Sequence, residues 1–154
     1  MKLIELKERQ DVASDLKLSK VYSQFGELLS ELKMKALTQD IIDFINECTE
    51  TLNSSSLTGN EFIKLVKQKQ VAILKQVEKQ LKLVPKNHYR NLWMLFGMSG
   101  IGLPIGVTFG LSVGNMGLLG IGLPIGMMIG LAIGIAMDKK ALSEGKQLNF
   151  ESKY

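Results

Sequence analysis

From residue 91 to residue 137 the chain has no Asp, Glu, Lys, Arg or His, a run of 47 residues. A run that long is not a water-exposed surface segment, since about 20 apolar residues already span a bilayer core. Cysteine is almost absent too. The single Cys48 excludes an internal disulfide and fits a reducing compartment. One histidine, His88, and one cysteine leave little for a thiol–base pair or a metal cluster. Glycine is scarce in one part only: residues 1–90 hold Gly26 and Gly59, whereas 91–137 hold 12 of the chain's 15. The first residues, Met-Lys-Leu-Ile-Glu-Leu-Lys-Glu, lack an apolar run, so no cleaved signal is expected.

These contrasts predict an all-α chain in three parts. Residues 1–90 form a helical cytoplasmic domain, 91–137 a two-helix transmembrane hairpin, and 138–154 a cytoplasmic tail. Charge is divided just as unevenly. Residues 1–61 carry seven Lys/Arg against eleven Asp/Glu, and residues 62–90 carry eight against one. The tail carries four against three. The basic block directly precedes the apolar run, where an anionic leaflet attracts it by about 1 kcal/mol per basic residue. Nucleic acid is the competing partner, and it is not expected because no groove-reading motif accompanies the block.

Within the first 90 residues, Leu18, Val21, Tyr22, Phe25, Leu28, Leu29 and Leu32 recur at helical steps. Helix is expected over 3–36. Charge interrupts the stripe between Leu6 and Val12, so the main helix can start near Ser14 with a short one before it. Gly26 lies mid-helix, with close packing as its expected reason. Thr38 is placed to cap a second helix running to Leu52. Its Asp40, Asp43, Glu47 and Glu50 read as a solvated face rather than a metal site, with no histidine to join them. Cys48 sits among the apolar positions, as core. Thr58 and Glu61 form a capping box, so a third helix begins at Gly59 and stops before Pro85, roughly 39 Å later. Its apolar line, Phe62, Val66, Ile73, Val77, Leu81 and Val84, packs on the first two helices. The alternatives are the lipid interface or a coiled-coil contact between protomers.

The apolar run repeats itself. Gly-Ile-Gly-Leu-Pro-Ile-Gly stands at 100–106 and again at 120–126, and ten of fifteen positions match between 100–114 and 120–134. Gly114 and Asn115 are the turn formers, giving spans over 91–113 and 116–137. Lysines and arginines flank both outer ends and none lies in the turn, so both termini face the cytoplasm. Glycines fall every four residues: Gly102, Gly106, Gly110 and Gly114, then Gly122, Gly126, Gly130 and Gly134. These are helix-packing positions, where missing side chains let backbones touch in lipid. Gly97, Gly100, Gly117 and Gly120 are left for other protomers, and a homo-oligomer is expected. Pro104 and Pro124 then lie at one depth, about 15 Å from the turn. They mark a kink or a constriction, each freeing a carbonyl four residues back, at Gly100 and Gly120, with Ser99 and Thr108 as candidate donors. Lipid-headgroup contacts are expected from Lys75, Lys79, Lys82, Lys86, Arg90, Trp93, Lys139 and Lys140, and Asn87 is placed to cap the first span.

The run GIGLPIG…GNMGLLGIGLPIGMMIGLAIGIAMDKKALSEGK, with its lead-in Pro85-Lys-Asn-His-Tyr-Arg-Asn-Leu-Trp93, resembles the small bacterial glycine-zipper membrane proteins. That resemblance covers about residues 90–146 and implies an inner-membrane hairpin, but no reaction. From the residues themselves, no catalytic group, metal or cofactor is expected, because the apolar run holds no ionisable ligand and the first 90 residues no nucleophile–base pair. Two functions fit. One is an anchor and oligomerisation module carrying a helical adaptor for a cytoplasmic partner. The other is a pore-forming or membrane-perturbing effector gated by the helical domain.

Overall fold

In the computed structural model every residue is described except Met1, Met116, Leu118 and 152–154. Among the described residues the chain is all-α, with seven α-helices and no strand: α1 (Gln10–Ser14), α2 (Leu16–Lys33), α3 (Gln39–Ser54), α4 (Gly59–Leu81), α5 (His88–Phe96), α6 (Leu103–Val113) and α7 (Leu119–Ser143). A π-helical stretch, Gly97–Gly102, joins α5 to α6. The chain forms two compact units. One comprises Met1–Val84 with Leu148–Phe150, the other Pro85–Gln147 with Glu151–Tyr154.

The first unit is a small helical core. The stripe on α2 is buried from Leu18 to Leu32. Asp15 caps that helix, its carboxylate accepting from the Lys17 and Leu18 amides at 2.8 and 3.2 Å. Ile41, Ile45, Cys48 and Leu52 of α3 are buried, and α4 packs on both α2 and α3. Phe62, Val66, Ile73 and Val77 are fully buried, which places that line in the core rather than on a lipid surface. Thr38 and Thr58 stand at the expected N-cap positions, yet neither side chain caps its helix. The Thr38 hydroxyl donates to Gln80 instead, at 3.4 Å. A Cβ on Gly26 would meet nothing within 4 Å, so close packing does not account for that glycine.

Residues 2–9 are not helical. Asn46 and Asn53 stand two turns apart on α3, and their side chains bond this segment's backbone. The Ile4 and Lys7 amides donate to the two side-chain oxygens at 2.8 and 2.9 Å, and Asn53 donates back to the Glu5 carbonyl at 3.0 Å. Those bonds hold an extended strap whose Leu3 is buried. Arg9 fixes its far end. The guanidinium donates to the Ser55 and Leu57 carbonyls, each at 2.8 Å, pairs with Asp11, and lies 4.0 Å over the Phe62 ring. At the other terminus, Leu148 and Phe150 complete the core, with the Leu148 amide donating to the Val84 carbonyl at 2.9 Å.

The second unit is an antiparallel helix pair. One member is α5, the π-helical stretch and α6; the other is α7. Gly114 ends the first member. Its φ of +68° is the left-handed geometry that glycine adopts without strain. The Gly114 and Asn115 amides bond back to the Leu111 and Gly110 carbonyls at 3.4 and 3.0 Å. The Asn115 side chain then accepts from the Gly117 amide at 3.0 Å. The second span was expected from residue 116, and Met116 lies outside the described residues. At its other end α7 runs past the apolar boundary at 137 to Ser143. The first member likewise begins at His88, before residue 91.

Candidate functional site

The two long helices meet along a seam of glycine. On α7 it is Gly122, Gly126, Gly130 and Gly134, all buried. Their partners are backbone. A Cβ on Gly122 would lie 2.7 Å from the Gly106 Cα, and one on Gly126 would lie 2.6 Å from the Gly102 Cα. One on Gly130 would lie 2.8 Å from the Trp93 carbonyl carbon, and one on Gly134 2.9 Å from the Arg90 nitrogen. Real Cβ atoms do not approach that closely, so any side chain here forces the helices apart. Close backbone approach replaces side-chain interdigitation, and the stabilising contacts are dispersion and weak Cα–H···O interactions. Gly114 is different: it is exposed, meets nothing within 4 Å, and ends a helix rather than packing one.

The first member reaches this seam by a change of pitch. Counting back from Gly110 and Gly106 in fours gives Gly102 and then Met98. The structure puts Gly97 there, its Cβ position 2.9 Å from the Gly130 Cα. The π-helical stretch Gly97–Gly102 holds one residue more per turn, and the Leu103 amide reaches back five residues to the Met98 carbonyl. Methionine is thereby rotated off the seam and glycine onto it. Pro104 follows immediately, where it has no amide to donate and its ring crowds the carbonyl four residues back. The second copy of the same seven residues, around Pro124, is ordinary α-helix. Its seam runs in strict fours and needs no correction. Ser99 and Thr108 donate to the Leu95 and Pro104 carbonyls at 2.9 Å each, so neither hydroxyl serves Gly100.

One residue absent from the sequence expectations closes the seam. Asp138 is one further step of four beyond Gly134, and only 8% exposed. Its carboxylate accepts from the Tyr89 and Arg90 amides at 3.1 and 2.9 Å, which are the orphan donors of the first turn of α5. A carboxylate there also opposes the positive end of the helix dipole. Asn87, expected as that cap, is left-handed at φ +62° and donates its amide to Glu151 at 2.9 Å. Continuing the four-residue glycine series past the end of the apolar run would have found Asp138. Treating the first charge as a boundary hid it.

The expected headgroup residues separate into sets. Lys75, Lys79 and Lys82 belong to the first unit and are exposed. Lys86, Arg90 and Lys139 belong to the second and line one cleft with Asn87, Ile135, Asp138 and Leu142. Lys140 lies outside it, 4.0 Å from Glu144. Trp93 also lies outside; its ring stands 6.5 Å from that of Phe96. In the first unit, Cys48 is buried, and that burial pushes its thiol up from the ordinary value, away from nucleophilic use.

The outer surface of the pair is apolar. Leu95, Phe96, Phe109, Leu111, Met128 and Ile135 are all exposed. His88–Val113 and Gly120–Ser143 are 26 and 24 residues long and apolar enough to cross a membrane. Only 22% of each apolar window is buried within the chain, unlike a core helix of a water-soluble protein, which is mostly buried.

No family model, curated protein or solved structure matches this chain.

Proposed function

We propose that this is a non-enzymatic integral membrane protein. The helix pair is a two-span anchor and homo-oligomerisation module of the bacterial inner membrane, and the helical unit is an adaptor for a cytoplasmic protein. The observation that carries this reading is the inversion of the second unit: glycine and backbone inside, large apolar side chains outside. Water would penalise that surface by about 25 cal/mol for each Å² of apolar area. Connectivity supports two crossings, since the chain leaves the first unit after Val84 and re-enters it at Leu148. The lysines and arginine flanking both outer ends then set those ends in the cytoplasm.

Small residues on the outer face support the oligomer. Gly100, Pro104, Thr108 and Ser112 are four residues apart in turn and all exposed; on α7 Gly120, Ala132 and Ala136 are exposed too, though Met128 interrupts that row. Gly97 is taken up within the pair and leaves this surface. The pore reading gains no comparable support, because the Ser99 and Thr108 hydroxyls are turned to their own helix carbonyls. Alkaline carbonate extraction followed by crosslinking in native membranes tests both parts. The protein should stay in the pellet and crosslink to multiples of its own mass. Recovery in the supernatant would sink the anchor, and a monomer alone would sink the oligomer.

A further inference from the structure

We propose that the cleft lined by Lys86, Arg90 and Lys139 binds the phosphate of one anionic phospholipid headgroup. This rests on the membrane reading above. The cleft has a volume of ≈ 280 Å³ and lies wholly within the second unit. One water needs only about 10–15 Å³ of such space, so the cleft is far larger than a single-water site and can take a phosphodiester.

Its wall is net cationic, three basic side chains against the single carboxylate of Asp138. Lys86 precedes α5, Arg90 is on the first turn of α5, and Lys139 follows Asp138 on α7. Among the described residues none of these three makes an ion pair. The one carboxylate in the wall, Asp138, already accepts from the Tyr89 and Arg90 amides. Two other acids of this unit have partners of their own: Glu151 accepts from the Asn87 amide at the cleft wall, and Glu144 pairs with Lys146 and Lys140. The Asp138 carboxylate also anchors the backbone from which the Arg90 side chain springs. A guanidinium offers a planar fork that suits two phosphate oxygens, and the lysines add point charge.

Two features select a lipid over free phosphate. Ile135 and Leu142 share the wall and are 42% and 63% exposed, an apolar flank for glycerol and the first acyl carbons. The cleft also sits at the start of one candidate span and the end of the other, at His88 and Ser143, where a bilayer places its headgroups.

The test uses the full-length protein in phosphatidylcholine nanodiscs containing some phosphatidylglycerol, with retained lipid counted by native mass spectrometry. Wild type should retain one phosphatidylglycerol per chain. Combining Lys86→Gln, Arg90→Gln and Lys139→Gln should weaken retention on the order of 100-fold, from three basic contacts. Combining Lys17→Gln, Lys20→Gln and Lys64→Gln removes the same charge from the first unit and should change it by less than about twofold. Arg90→Lys keeps charge and helix but loses the fork, and should fall between wild type and the triple variant. Equal losses in the two triple variants would reduce the effect to a diffuse field and overturn the site. Displacement by soluble glycerol phosphate would make it a free-phosphate site and overturn the lipid. A chain that inserts without preferring phosphatidylglycerol removes the site alone, whereas a chain that does not insert removes the membrane reading and the site together.

Discussion

The two units solve the packing problem in opposite ways. The first fills its interior with Phe25, Phe62, Leu18, Leu28 and Ile41, each essentially inaccessible to solvent. The second fills its seam with nothing: four glycines on α7 face backbone, and the large side chains point outward. Cohesion in the first comes from apolar area withdrawn from water. In the second it comes from the fit of two backbones, which is worth most where the surroundings are already apolar. Mutations should therefore act with opposite sign in the two units. Shrinking a residue harms the first, and enlarging one harms the second.

The largest effect belongs to Phe62→Ala. Phe62 is fully buried, packs 6.0 Å from the Tyr22 ring, and carries Arg9 on its face. Its removal should cost about 3–5 kcal/mol, read as lost amide-exchange protection over α2, α3 and α4. The helix pair's amides should keep theirs. A loss shared by both units would mean that they unfold as one, and the contrast between them would fail.

Next is a pair of substitutions two residues apart. Gly122→Leu puts a side chain against the Gly106 backbone and should cost about 1–3 kcal/mol of helix association or more. Gly120→Ala meets nothing within 4 Å and should stabilise α7 by about 1 kcal/mol or less. Distances between spin labels on α6 and α7, measured in bilayers, would report both. Equal separation in the two variants would show that the seam does not hold the helices.

Much of this was legible in advance. The stripe on α2, the line on α4 and the turn at Gly114 follow from periodicity and turn chemistry, which are local. What escaped was non-local. The strap at residues 2–9 depends on Asn46 and Asn53, more than forty positions away, whose amides replace helical hydrogen bonds. The shift at Gly97–Gly102 depends on which residue must meet Gly130, so identical heptads take different backbones. Thr58 occupies its position without making its bond, because sequence spacing places a residue without fixing its rotamer. Asp138 was hidden because composition draws a boundary where α7 has none.

Asp138 gives the third effect, and it tests where the glycine seam ends. Asp138→Ala leaves the Tyr89 and Arg90 amides without their acceptor and should cost about 2 kcal/mol. Asp138→Asn keeps one acceptor oxygen and should cost about half of that. Exchange of those two amides, followed in the full chain, should accelerate while the amides of α6 hold. Unchanged protection at Tyr89 and Arg90 would mean that another group caps α5.

The smallest effect is one of pH, and it belongs to the first unit. Hydrogen bonding to Arg9 holds the Asp11 carboxyl below its ordinary range, and Lys33 does the same for Glu5. A carboxyl depressed in the folded state adds stability above its unfolded pKa and loses it as pH falls through the folded value. Glu5 is exposed and Asp11 is half-buried at the surface, so the contribution is small and screened by salt. The urea midpoint of the first unit should fall on going from neutral pH into the range where carboxylates protonate. It should fall less in Asp11→Asn, where Arg9 keeps its bonds to Ser55 and Leu57 but has no acid to lose. High salt should shrink the difference between wild type and variant. If Asp11→Asn tracks wild type throughout, Arg9 holds the strap through carbonyls and the Phe62 ring alone.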